Sequence, residues 1–209
     1  MNKKYTSVAF LLSKENNWIE EYFQNSTLKK EFEDIKIFYD ESMITGYEIV
    51  FVLGYMKILD SNFLKRNKHN LVIHESALPY GKGFSPVQWQ ILEGANKITV
   101  SLIEANDNVD GGDIILQSEL KLHGLELYNE IRLKQAEVTF NLISEFLKKY
   151  PNHKRIKQVG EGSFFPKRNP EDGELDINKT IKEQFNKLRI GNNDSWPSFF
   201  KINGKKFII

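Results

Sequence analysis

His74 is the residue of this sequence best placed for proton chemistry. It follows a short apolar run, Leu71 to Ile73, and precedes a loop with glycines and prolines that ends at Pro86. This order predicts a β-strand that delivers His74 to its carboxyl end, where ligands bind in open α/β sheets. Because histidine titrates near neutral pH, a general acid or base is indicated, although the position alone also fits a structural histidine.

A second polar segment lies between two runs typical of strands, Lys97 to Glu104 and Ile114 to Leu122. It contains Asp107, Asp110 and Asp113 together with two glycines, which predicts a tight turn with concentrated negative charge. The same pattern is typical of a hairpin loop whose acids are merely solvated. A carboxylate beside an imidazole, however, orients the ring and stabilises its protonated form. The two segments together favour a catalytic pair.

These segments resemble the formyltransferases that use 10-formyltetrahydrofolate, which act on glycinamide ribonucleotide, on initiator methionyl-tRNA and on nucleotide-linked amino sugars. The resemblance rests on His74-Glu75-Ser76-x-Leu78-Pro79, Gly83, Pro86 and Asp110-x-Gly112-Asp113. It includes Val52 to Leu59, which is similar to the family's folate-lining strand and segment, and it covers roughly residues 5 to 125.

The resemblance implies a role for each matching position. The catalytic residues are expected to be His74 and Asp110. The formyl donor, 10-formyltetrahydrofolate, is expected to contact Tyr55, Met56, Lys57, Ile58, Leu59, Asn106 and Asp107. The acceptor is expected to contact Ser76, Lys82 and Gly83. In the C-terminal segment Arg168, with Lys167 beside it, is expected to reach an anionic acceptor, although the two charges also fit a solvated pair. No metal is expected, because apart from the turn aspartates the sequence has no paired histidines or acidic ligand spacing.

Two positions depart from the family pattern, which usually reads Asn-x-His-Pro-Ser. Val72 stands where the catalytic asparagine would fall, and Glu75 replaces the proline. Asn70 does not substitute, because residues two apart on a strand share a face but stand about 7 Å apart. Either another donor stabilises the reacting oxyanion or the protein has lost activity. The otherwise intact site favours the first alternative.

The order of apolar runs predicts an α/β fold with a Rossmann-like, open and mainly parallel sheet flanked by helices. Besides the strands already named, strands are predicted at Ser7 to Leu12, Ile35 to Tyr39 and Glu48 to Gly54. Helices are predicted at Lys14 to Asn25, Asp60 to Arg66, Pro86 to Gly94 and Leu127 to Tyr150. The helical spacing of Trp18, Ile19, Tyr22 and Phe23 predicts core residues.

The chain is predicted to divide into a catalytic domain at residues 1–150 and a C-terminal appendage at residues 151–209. In the appendage, we predict a surface position for His153, an irregular stretch from Ser163 to Gly173, a helix near Ile177 to Ile190, and a hairpin at Asn203-Gly204. The run from Phe165 to Asp172 resembles the C-terminal segment of sugar and methionyl-tRNA formyltransferases.

Composition narrows the class of protein. With 209 residues, 40% of them hydrophobic and 27% charged, the chain is typical of a soluble globular protein with an ample core. No apolar run approaches the roughly 20 residues that span a bilayer, and Met1 to Tyr5 lead into only a short apolar stretch, so a cytoplasmic location without membrane contact is expected. The absence of cysteine excludes disulfides and thiol catalysis.

The acceptor is inferred by comparing three classes. Methionyl-tRNA calls for a substantial second domain and a basic surface, whereas the net charge is +1, so no nucleic-acid partner is expected. An enzyme that acts on glycinamide ribonucleotide would fit the length of this chain, but the segment from Phe165 to Asp172 does not resemble such enzymes. A nucleotide-linked 4-amino-deoxy sugar of a surface-glycan pathway, such as lipopolysaccharide synthesis, is therefore favoured, with a homodimer compatible. The alternatives are a hydrolase that releases formate to water, and a non-catalytic folate- or sugar-binding protein, which Val72 suggests.

Overall fold

A computed structural model describes residues 7–25 and 35–209, so Met1 to Tyr5 lie outside the described chain. Its strands are β1 (Val8–Leu12), β2 (Lys36–Phe38), β3 (Ile49–Leu53), β4 (His69–His74), β5 (Lys82–Gly83), β6 (Lys97–Glu104), β7 (Ile114–Lys121), β8 (Phe164–Phe165), β9 (Phe199–Ile202) and β10 (Lys205–Ile208). Six of them form a central sheet in the order β2-β1-β3-β4-β6-β7. The first four are parallel, and β6 runs antiparallel to both of its neighbours. The predicted Rossmann-like, mainly parallel sheet is confirmed.

The helices are α1 (Asn17–Asn25), α2 (Ser61–Arg66), α3 (Pro86–Leu92), α4 (Tyr128–Lys149) and α5 (Phe185–Arg189). The first predicted helix opens as a 3-10 turn over Lys14–Asn16. The Asp60 carboxylate accepts the backbone N–H of Phe63 at 2.7 Å, which caps the start of α2. At α3, Pro86 occupies the first turn as predicted, and Gly94 follows the helix with a φ of 93°.

The main core lies between one face of the sheet and helices α1 and α4. All five residues of β1 and of β3 are buried. The apolar side chains on one face of α4 are buried: Ile131, Ala136, Phe140, Ile143, Phe146 and Leu147. The Phe140 ring stacks on Phe23 of α1 with ring centroids 5.6 Å apart. Each such side chain contributes about 1.5–3 kcal/mol when removed from water. A smaller cluster around Phe63 covers the other face, so the sheet is held on both sides.

The helix predicted near Ile177 to Ile190 is largely wrong. Only a 3-10 turn at Lys182–Gln184 and the short α5 form there. The Asp176 carboxylate accepts the backbone N–H of Asn178 at 2.9 Å, and such local bonds compete with helix formation.

The rest of the C-terminal segment is more regular than its sequence predicts. The hairpin is confirmed: β9 and β10 pair antiparallel, and Asn203 and Gly204 have φ values of 49° and 78°, as a type I′ turn requires. The stretch predicted to be irregular contains β8, which pairs with β5. A Cβ on Gly83 would lie 2.6 Å from the carbonyl oxygen of Phe165, so this close pairing requires glycine. The division at residue 150 stays a prediction.

The predicted surface position of His153 is also wrong, because its ring is half-buried against Phe146, with ring centroids 4.9 Å apart. Burial, together with the positive charge of Arg155, lowers its pKa. No helix in residues 7–25 and 35–209 is long and apolar enough to cross a bilayer.

A buried ion pair joins the loop before α4 to α5. Glu126 and Arg189 are 5% and 1% exposed, and the carboxylate lies 3.5 Å from the Arg189 guanidinium. Burial alone would raise the pKa of Glu126, but backbone N–H groups of His123 and Gly124 and the Lys134 ammonium hydrogen-bond to the carboxylate and lower its pKa to about 2. This carboxylate therefore fixes the chain entering α4.

Candidate active site

A cleft of about 520 Å³ lies beside the carboxyl end of β4. It is bounded by the segment after β3, the start of α3, the loop between β6 and β7, and β8. Ten of the residues predicted to form the site line it: Tyr55, Met56, Lys57, Ile58, Leu59, His74, Gly83, Asn106, Asp107 and Asp110. The structure thus brings together positions that are far apart in the sequence.

His74 is the last residue of β4 and is 5% exposed. Its Nε2 lies 2.8 Å from the carbonyl oxygen of Gly81, and its Nδ1 lies 3.5 Å from Oδ1 of Asp110. Because a carbonyl oxygen only accepts hydrogen bonds, we assign the proton of the neutral ring to Nε2. Nδ1 is then the nitrogen that gains or loses a proton, and it does so opposite a carboxylate.

Asp110 is held on its other side by the backbone of β5. Its Oδ2 accepts the N–H of Gly83 at 2.9 Å, and its own backbone has a φ of 49°, a left-handed conformation that aspartate and asparagine tolerate better than most residues. The side-chain amide of Gln158 donates to the carbonyl oxygens of Asp110 and Gly112 at 2.7 and 2.8 Å. Gly112 is required, since a Cβ there would lie 1.6 Å from the carbonyl oxygen of Glu104.

The segment Tyr55 to Leu59 forms one wall of the cleft. Its backbone is fixed by Met56, whose N–H donates to Oγ of Ser13 at 2.8 Å. The Tyr55 hydroxyl donates to Glu41; burial, together with this bond, raises the pKa of Tyr55. Ile58 is 71% exposed, which leaves an apolar surface open to a ligand.

The opposite wall is the loop that carries Asn106 and Asp107. The Asn106 amide donates to the carbonyl oxygen of Gly111 at 3.0 Å and accepts the N–H of Asn108 at 2.9 Å. The Ser61 hydroxyl donates to Asp107. Both side chains therefore shape the loop, and the loop from Asn106 to Gly112 lines the cleft.

Three residues predicted to bind the acceptor do not line the cleft. Ser76 is 2% exposed, and Lys82 lines a neighbouring depression, where its ammonium lies 5.8 Å from the centre of the Phe164 ring. Arg168 is buried over the ring of Trp196 and lies 3.9 Å from the Asp172 carboxylate, so its charge is balanced within the C-terminal segment. Lys167, next to it, does line the cleft.

Val72 also lines the cleft, in register with Val52 on one side and Ile103 on the other. The surface at the position of the family's asparagine is therefore apolar. Asn70 is 3% exposed, and its side-chain amide donates to the carbonyl oxygen of Leu64 at 2.9 Å. It does not line the cleft and therefore does not replace the family's asparagine, as predicted from its position on the strand.

Sequence reasoning missed several polar and aromatic residues of the cleft. Gln88 is 6% exposed, yet its amide has no hydrogen-bond partner in the described chain. Trp18, a predicted core residue, packs on the core and also lines the cleft. Arg132 and Gln135 of α4 line the cleft as well. These residues can be recognised as cleft residues only in the folded chain, because their helical spacing is that of ordinary core and surface positions.

Comparison with known proteins shows the family to which the chain belongs. The family model for formyl transferases matches residues 6–146, well over half of the chain. The chain belongs to the formyl transferase family. The methionyl-tRNA formyltransferase of Thermodesulfovibrio yellowstonii is 30% identical over 169 residues, which are 77% of this chain but only 54% of that protein. The chain thus spans about half the length of the curated relatives that it matches.

Solved structures of this family share the fold. A methionyl-tRNA formyltransferase from Clostridium thermocellum superposes with a TM-score of 0.80 at 24% identity, covering 98% of this chain and 97% of that chain. A 4-N formyltransferase from Francisella tularensis gives 0.67 at 18% identity, covering 97% and 96%. Both kinds of enzyme therefore share this formyl transferase architecture, and the fold does not separate their acceptors.

Proposed function

We propose that the protein transfers a formyl group from 10-formyltetrahydrofolate to the amine of a nucleotide-linked amino-deoxy sugar. The observation that carries the proposal is the pair of the buried His74 and the half-buried Asp110, with Nδ1 and Oδ1 3.5 Å apart at the edge of the cleft. An imidazole that gains a proton opposite a carboxylate is suited to a reaction in which negative charge develops on oxygen.

The reaction assigns a task to each group. The neutral amine attacks the formyl carbon, a C–N bond forms, and the carbonyl electron pair moves to oxygen. When the intermediate collapses, the bond between the carbon and N10 of the folate breaks, and N10 takes a proton. His74 stabilises the oxyanion or assists this proton transfer, and Asp110 orients the ring or takes the amine proton directly or through water.

The two walls of the cleft support a folate donor. Tyr55 to Leu59 supplies an apolar surface beside main-chain groups, and the loop from Asn106 to Asp110 supplies backbone donors and acceptors. A pterin ring is planar and carries donors and acceptors on its edge, so walls of this kind suit it. Gly83 lies between these groups and the C-terminal segment: its N–H donates to Asp110, and its Cα lies close to the carbonyl oxygen of Phe165.

The acceptor is proposed from charge and surface. A net charge of +1 gives no general attraction for a polyanion such as tRNA, whereas Lys167 in the cleft suits one small anionic group. The second candidate is methionyl-tRNA, because the relative from Thermodesulfovibrio yellowstonii, 30% identical to this chain, is named for that acceptor.

Release of tetrahydrofolate from 10-formyltetrahydrofolate tests the proposal. The release is measured alone, with UDP-, dTDP- and CMP-linked amino sugars, and with initiator methionyl-tRNA. We expect release that depends on an amino sugar and is lost in His74→Ala. Release with methionyl-tRNA alone supports the second candidate, release without acceptor indicates a hydrolase, and folate binding without release indicates a binding protein.

A further inference from the structure

Glu75 places a carboxylate in the wall of the cleft directly after His74. The residue is half-buried and lines the cleft, and its backbone carbonyl accepts the Gln90 amide at 2.7 Å. Oε1 accepts a hydrogen bond from Nε2 of Gln135. Oε2 has no partner among the described residues, and none of their cationic side chains forms an ion pair with Glu75.

The Gln135 amide is fixed from behind by Arg132. Gln135 is 3% exposed, and its Oε1 accepts Nη1 of Arg132 at 2.7 Å, so its N–H necessarily faces Glu75. The guanidinium is held over the rings of Trp18 and Tyr128, at 4.8 and 5.0 Å from their centres. This arrangement gives one carboxylate oxygen a rigid neutral partner and leaves the other oxygen of this cleft-lining residue without a partner among the described residues.

Glu75 differs in this respect from the other acids of the cleft. Both oxygens of Asp110 are engaged, by His74 and by the N–H of Gly83. Asp107 is exposed, so water solvates its charge. A half-buried carboxylate without a cation is unfavourable, and a cationic ligand would compensate its charge.

We propose that Glu75 binds the amino group of the acceptor as an ammonium ion and thereby selects an amine over a hydroxyl. The inference rests on the proposed amine acceptor. The alkyl amine of lysine has a pKa of about 10, and the neighbouring oxygens of a sugar lower this value; the sugar amine still arrives mostly protonated at neutral pH, with three N–H donors for an oxygen such as Oε2. The position of Glu75 beside His74 brings the nitrogen next to the groups assigned to the formyl oxygen. Its role is substrate selection. Before the attack the ammonium ion gives one proton to water, so the neutral amine remains the nucleophile.

The test compares binding of two probes that differ at one atom. The probes are a dTDP-linked 4-amino-4,6-dideoxyhexose and the matching dTDP-linked 6-deoxyhexose with a hydroxyl at C4; if another nucleotide supports turnover, the same pair is made with it. Titration calorimetry is carried out on the full chain, on Glu75→Gln and on Glu93→Gln. Glutamine at position 75 still offers an oxygen to Gln135, and Glu93 is an exposed acid outside the cleft.

We expect the wild-type protein and Glu93→Gln to bind the amino sugar at least tenfold more tightly than the hydroxyl sugar. In Glu75→Gln this preference should fall to within twofold, with binding of the hydroxyl sugar and the KM for the folate donor unchanged.

Two results overturn the role of Glu75 while leaving the proposed function standing: an amino preference that survives in Glu75→Gln, or equal weakening of both probes with a lowered melting temperature. If the wild-type protein transfers formyl to no amino sugar and binds neither probe, the proposed function fails and the inference fails with it.

Discussion

Replacing Asp110 with asparagine would remove the negative charge opposite His74 and leave the rest of the loop in place. Asparagine keeps an oxygen to accept the N–H of Gly83, which Asp110 now accepts at 2.9 Å. It also tolerates the left-handed backbone at this position, where φ is 49°. The variant therefore isolates the electrostatic contribution of the carboxylate.

The expected magnitude follows from the separation of the two groups. Unit charges 3.5 Å apart, the distance between Nδ1 of His74 and Oδ1 of Asp110, attract each other by 332/(20 × 3.5), about 5 kcal/mol, at an effective dielectric constant of about 20. With its oxygen on the Gly83 N–H, asparagine turns its NH2 group towards Nδ1 and keeps none of this attraction, so about 5 kcal/mol is the most that the variant loses. We therefore expect kcat to fall by about 10²- to 10³-fold, or about 3–4 kcal/mol.

The assay is steady-state release of tetrahydrofolate with the acceptor that supports turnover. Asp113→Asn is the matched control, because Asp113 belongs to the same loop but does not line the cleft. Asp110→Asn should keep its melting temperature and its affinity for the donor. A kcat within threefold of wild type, in a folded variant, would refute the catalytic role of the carboxylate.

Three further predictions concern the oxyanion and the stability of the fold. Val72→Asn should raise kcat by about ten- to 100-fold if the cleft lacks one donor, since such a donor is worth about 3 kcal/mol; an unchanged or lower kcat in single-turnover assays would contradict this. If the buried Gln88 amide already supplies that donor, Val72→Asn should leave kcat unchanged and Gln88→Leu should lower it by about 100-fold with less than threefold change in donor affinity; equal loss of donor binding would indicate a structural role. Glu126→Gln should lower the free energy of unfolding by about 3 kcal/mol at pH 7, measured by urea denaturation. The Glu126 carboxylate titrates near 4.5 when unfolded and at about 2 when folded, so the deficit should shrink as pH falls from 4.5 towards 2, and a pH-independent deficit would contradict the assignment.

The sequence predicts the sheet and the catalytic pair because both depend on local signals. Apolar β-rich runs mark β1, β3 and β4, and the boundaries of the strands shift by one or two residues at most. His74 ends such a run and Asp110 lies in a turn, so each position can be read without knowledge of the partner.

The remaining parts of the site depend on contacts between distant segments. Arg168 was expected to reach the acceptor, but its burial against Trp196 is decided by how the tail folds on itself. The contacts of Glu75 could not be predicted from the sequence for the same reason. Its departure from the family pattern is visible in the sequence, whereas the Gln135 and Arg132 side chains behind it become neighbours only when α4 packs against the sheet.

Gly83 shows how the tail and the catalytic carboxylate are joined. Its backbone N–H holds Oδ2 of Asp110, and the residue pairs with Phe165 of β8. The Trp89 indole N–H donates to the carbonyl oxygen of Pro166 at 2.9 Å, which ties the same stretch of tail to α3. A side chain at position 83 would push Phe165 away, because its Cβ would lie 2.6 Å from that carbonyl oxygen. The geometry that orients Asp110 towards His74 thus requires both the glycine of β5 and the docked C-terminal segment.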